Sequence, residues 1–142
     1  MSEMNGYQAL STYRRQQIET ASPGQLIVML YDGAIRHCQS AQSAIASGDK
    51  AAAHRHLLKA QDIVAELMAS LDMEAGGELA TRLLQLYDFI HRRLVEANVR
   101  KDTEAIQDAV QLLSGLREAW AQVATASPVG NMSRSAQAGP LA

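Results

Sequence analysis

Apolar residues recur at helical spacing, three or four positions apart with a single step of five, in four separate stretches of this chain. The first carries Leu26, Leu30, Ile35, Cys38, Ala41 and Ile45. The second carries Leu57, Ala60, Val64, Leu67 and Leu71. The third carries Leu79, Leu83, Leu86, Ile90, Leu94 and Ala97, and the fourth Ile106, Ala109, Leu113, Leu116, Trp120 and Val123. This spacing puts one apolar stripe on one face of a helix. No stretch of five to eight residues alternates as a strand would.

The punctuation agrees with the stripes. Ser22 can cap backbone N–H groups, Pro23 suits a first helical position, and Gln25 completes a capping box. Ser47-Gly48 reads as a stop. Asp49 then caps a second helix, Gly76-Gly77 breaks the chain before a third, and Asp102 or Thr103 caps a fourth. Asn98 sits where a helix C-cap is expected. Four helices of about 20 residues joined by short turns predict an all-α, antiparallel up-down four-helix bundle. Residues 1–21 hold only scattered apolar points and predict a mobile N-terminal arm. Residues 125–142 are Ser-, Ala-, Gly- and Pro-rich and predict a disordered tail. The helical domain is expected over 22–124.

The 142 residues are enough for one domain with one core. Aromatics are only 4%, so that core must be aliphatic. A formal net charge of −2, with no basic run, argues against a nucleic-acid partner. The first residues have no signal-peptide pattern, and no apolar run reaches the roughly 20 residues that span a bilayer. A single cysteine fits a reducing compartment, so a cytosolic location without membrane insertion is expected.

Chemistry-bearing patterns are sparse. His54 and His56 are two apart and diverge on a helix, while His37 and His91 stand alone in sequence. The Glu-x-x-His repeats of di-iron bundles are missing, and no metal or other cofactor is expected. Cys38 lies on an apolar stripe and reads as a small buried hydrophobe. No nucleophile–base pattern or phosphate-binding loop is present, so no enzymatic activity is expected.

The helices carry more apolar residues than one stripe each. Ile27, Val28 and Met29 lie beside the first stripe, Leu58, Ile63 and Met68 beside the second, and Leu84, Tyr87, Phe89 and Val95 beside the third. Val110 and Leu112 lie beside the fourth. They are either the flanks of a broad core or the lining of a groove for partner helices. Tyr31 is either a groove edge or a ring packed in the core with its hydroxyl at the rim. Arg92 and Arg93 point in different directions, and one of them can pair with Asp88, Glu96 or an acid of a partner, or both lie on a solvated helix face. Trp120, on the fourth stripe, is expected in the core.

One ordered set of short motifs resembles the FliS family of flagellar secretion chaperones. It begins with Thr20-Ala21-Ser22-Pro23-Gly24-Gln25-Leu26 and continues through Met29-Leu30-Tyr31-Asp32-Gly33. Lys59-Ala60-Gln61-Asp62-Ile63, Tyr87-Asp88, Arg92-Arg93-Leu94-Val95-Glu96-Ala97-Asn98 and Arg117-Glu118-Ala119-Trp120 follow in order. The resemblance implies a helical bundle that binds the C-terminal segment of flagellin in an apolar groove. It also implies that binding prevents premature polymerisation and aids delivery to the flagellar export gate protein. The candidate partner-binding residues are then Ile27, Val28, Tyr31, Leu58, Ile63, Tyr87, Arg93 and Val95. In this family an N-terminal segment can fold over the apolar surface, which makes Tyr7, Leu10 and Tyr13 candidate arm contacts. The family often shows a tighter aromatic cluster there than Tyr7 and Tyr13. The alternative is a self-associating structural bundle, against the expected monomer or weak homodimer.

Overall fold

Helix α1 (Pro23–Ala46) starts from a capping box. The Gln25 backbone N–H donates to Ser22 Oγ at 3.2 Å, and the Ser22 N–H donates to Gln25 Oε1 at 2.9 Å. It ends at Gly48, whose φ of +80° lets the chain turn back. Asp49 N–H then donates to the Ala44 carbonyl at 2.8 Å and Gly48 N–H to that of Ile45 at 3.0 Å, a Schellman closure. The computed structural model describes residues 22–126, so the expected arm and most of the expected tail lie outside the described residues.

Asp49 also opens α2 (Lys50–Ala69), accepting from the Ala52 N–H at 3.0 Å. Helix α3 (Met73–Arg100) begins earlier than the Gly76-Gly77 break predicts. Asp72 accepts from the Ala75 N–H at 3.0 Å, and Gly76 N–H reaches the Asp72 carbonyl at 2.8 Å, which builds a full turn ahead of the glycines. The break survives as a kink at Gly77, with φ 54° and ψ −129°. The α3 C-cap is Lys101 in the left-handed region, so Asn98 stays inside the helix. Asp102 accepts from the Glu104 and Ala105 N–H groups and starts α4 (Thr103–Ala126).

The four helices pack antiparallel, in a ring where α1 meets α2 and α4, and α3 closes the circle between α2 and α4. The core is mainly aliphatic: Leu57, Val64, Leu67, Ile90, Leu94, Ile106 and Leu113 are fully buried, with Tyr31 and Tyr87 among them. Small residues set the spacing between them. Ala34, Ala41, Ala53, Ala60, Ala97 and Ala109 are buried along the seams. At the α1/α2 seam a Cβ on Gly33 would lie 3.2 Å from Ile63 Cδ1, so a glycine permits that approach.

Candidate functional site

Every seam of the ring carries a polar clasp. Arg117 Nε donates to Asp32 Oδ1 at 2.9 Å between α4 and α1, where Gln42 also meets Gln107. Arg93 donates to Asp108 Oδ2 at 2.9 Å between α3 and α4, and to Glu96 at 3.2 Å on its own helix. His54 faces Asn98 between α2 and α3. Lys101 Nζ donates to Asn98 Oδ1 at 2.8 Å, which leaves the amide N–H to donate to His54 Nδ1 at 3.0 Å. Between α1 and α2, His37 Nδ1 stands 3.0 Å from His56 Nδ1. Among the described residues no buried side-chain polar atom lacks a partner.

These clasps relocate several sequence expectations. Arg93 pairs with Glu96 and Arg92 with Asp88, as the sequence allowed, while Asp108 across the α3/α4 seam is an added partner, and these carboxylates keep the Arg93 guanidinium firmly charged. Asn98 is a buried bridge, and its nearness to the helix end disguised that role. His37 does not stand alone, because α2 brings His56 to it.

Tyr31 and Tyr87 are the largest departures. Both are buried completely or nearly so, and their hydroxyls hydrogen-bond to one another. The rings are tilted at 56° with centroids 6.3 Å apart. Trp120 packs against the same core. The Tyr31 hydroxyl therefore lies inside the core and not at its rim, and neither tyrosine presents surface in this conformation. Burial pushes both phenols above their ordinary range. Tyr31→Phe is expected to cost about 1–3 kcal/mol, because it leaves the Tyr87 hydroxyl short of a partner. Urea denaturation of the variant at neutral pH measures this.

Ile27 and Ile63 are half-buried and pack against the core, and Val28 is half-buried near the start of α1. Leu58 and Val95 differ from these, at 42% and 40% exposed. Leu58 lies one turn beyond His54 on α2, and Val95 one turn before Asn98 on α3. The His54–Asn98 contact between antiparallel helices therefore puts both on the outer α2/α3 seam. Val99, at 80% exposed, extends this patch one turn along α3. Its exposure was not singled out from sequence, although Val95 and Val99 share a face by their four-residue spacing. Phe89, at 47%, lies farther round α3.

Burial pushes the Cys38 thiol up to about 12, so at neutral pH it is an inert thiol in the core. Among the described residues no group of three or more His, Cys, Asp or Glu side chains could hold a metal. No helix among them is long and apolar enough to cross a membrane. The polar groups of the ring are satisfied, and its apolar side chains Leu58, Val95 and Val99 stand exposed.

The comparisons with known proteins specify the class. The family model described as flagellar protein FliS matches residues 5–127. The flagellar secretion chaperone FliS of Salmonella typhimurium is 46% identical over 107 residues, covering 75% of this chain and 79% of that one. Its counterpart in Bacillus subtilis is 34% identical over 122 residues, 86% of this chain and 88% of that one. That of Vibrio cholerae is 32% identical over 119 residues, covering 81% and 88%. The chain belongs to the FliS family of flagellar secretion chaperones, which are not enzymes.

Proposed function

We propose that this chaperone binds the C-terminal segment of flagellin as an amphipathic helix along the exposed seam between α2 and α3, in the cytosol. Leu58, Val95 and Val99 carry the proposal, because they remain exposed on a bundle whose core is already filled. A disordered segment that folds onto such a surface offsets its ordering cost by apolar burial, with no need for nucleotide chemistry. Occupying the segment keeps it from polymerising, and the complex is then handed to the export gate protein. The family name of secretion chaperone supports this last step.

Calorimetric titration with the C-terminal segment of flagellin from the same organism tests the proposal. The expected result is 1:1 binding with a negative heat-capacity change and a gain of helical circular dichroism. A folded protein that shows no heat with this segment would refute the client. Light scattering in the same buffer decides the self-association alternative: a monomer that dimerises only weakly keeps the seam free, while a tight dimer hides it.

A further inference from the structure

The α1/α2 seam holds two imidazoles nitrogen to nitrogen, and this contact has a fixed proton capacity. The His37 and His56 rings lie 5.3 Å apart by centroid, tilted at 34°, with their Nδ1 atoms 3.0 Å apart. A hydrogen bond there needs one Nδ1–H and one bare Nδ1. The neutral pair meets that need when one ring carries its proton on Nδ1 and the other on Nε2. One added proton preserves it, since an imidazolium can still donate to a neutral ring. A second added proton puts an N–H on both facing atoms, leaves no acceptor, and sets two cations side by side.

The surroundings oppose that second proton as well. Arg36 on α1 and Lys59 on α2 act on His37 together with His56, and all these influences are cationic or become so on protonation. The other charged clasps face different seams. Asp32–Arg117 lies between α1 and α4, and Lys101 with the His54–Asn98 contact lies on the α3 side of α2. Burial first, and then these charges, hold His37 below the ordinary imidazole range.

We propose that the His37–His56 contact is a proton-responsive latch between α1 and α2, closed with up to one added proton and opened by the second. The direction of the pH dependence follows from proton counting. The unfolded chain binds two protons at these rings in acid, while the closed latch binds at most one. Folding is therefore favoured above the ordinary imidazole value of about 6.5, and that advantage is lost as pH falls below it. One withheld proton changes the unfolding constant by up to about tenfold per pH unit in that window.

Nitrogen-15 NMR of the imidazole rings in the wild-type protein, titrated from pH 7.5 to 5, reads the latch directly. The expected spectra show one Nδ1–H and one Nε2–H tautomer at pH 7.5. They then show uptake of one shared proton, and a second proton only as α1 and α2 amide signals near the pair shift. Two rings that titrate as independent single sites would overturn the proposal. Urea midpoints add a second readout. His56→Gln gives His37 an amide oxygen to donate to, so its acid loss of stability is expected to shrink by at least half. His91→Gln should keep the wild-type loss. Equal losses in His56→Gln and wild type would also overturn it.

Discussion

Shortening Leu94 to alanine will lower the unfolding free energy by about 2–5 kcal/mol. Leu94 is fully buried within a cluster that includes Leu57, Leu67, Ile90, Ile106 and Leu113. The loss has two parts: the transfer energy of the deleted carbons and the cavity they leave. Collapse of that cavity is resisted because its walls are helices clasped at every seam, as by Arg93–Asp108 beside α3. With total stability for a domain of this kind about 5–15 kcal/mol, the loss removes a large share of it. The measurement is urea denaturation followed by circular dichroism, with the midpoint falling and the slope unchanged. A midpoint shift equal to that of an exposed substitution would mean that Leu94 does not face a packed interior.

The four stripes were legible because helical spacing writes one buried face directly into the chain. Their centre lines were less so. On α1 the large residues Leu26, Leu30, Ile35 and Ile45 are half-buried, while Tyr31, Ala34, Cys38 and Ala41 are fully buried. Apart from Tyr31, small residues hold the centre because α1 and α2 approach closely at Gly33 and Ile63, and the other large side chains flank that line. Hydrophobicity weights the flanks, so the sequence pattern pointed slightly to one side. The helix ends written by Ser22, Asp49 and Asp102 were correct because side-chain caps are local. At Asp72 a cap of the same kind adds one turn, and the chain still breaks at Gly77 as its glycines predict.

Contacts across the ring were not legible. Tyr31 and Tyr87 are separated by 56 positions, and His54 and Asn98 by 44. Nothing in either local pattern states that they meet. A tyrosine on an apolar face can place its hydroxyl at a rim or against another buried hydroxyl, and only the facing helix decides. The same holds for Arg93, whose partner Asp108 lies on α4. The candidate surface therefore divides by what each neighbouring helix supplies. Tyr31 and Tyr87 go to the core and Arg93 to a clasp. Ile27 and Ile63 line the core, and Leu58 and Val95 are left outside.

That division makes the second large effect a functional one. A protein carrying both Leu58→Asp and Val95→Asp is expected to keep its fold and to bind the flagellin C-terminal segment about 10- to 100-fold more weakly. Both side chains are partly exposed and lie outside the buried core, so their change in stability should stay within about 1 kcal/mol. In the complex each would place an unpaired carboxylate against an apolar helix face. Losing two such contacts at the centre of a small interface removes about 1.4–2.8 kcal/mol of binding energy at that range of affinity change. Ile27→Asp supplies the contrast. Its side chain packs against the core, so a charge there is expected to lower the urea midpoint at least as visibly as it lowers binding. Titration calorimetry and denaturation, run on all three proteins, separate the two kinds of site. Undiminished affinity in the doubly substituted protein, with its fold intact, would exclude the α2/α3 seam as the docking surface while leaving the core assignment in place.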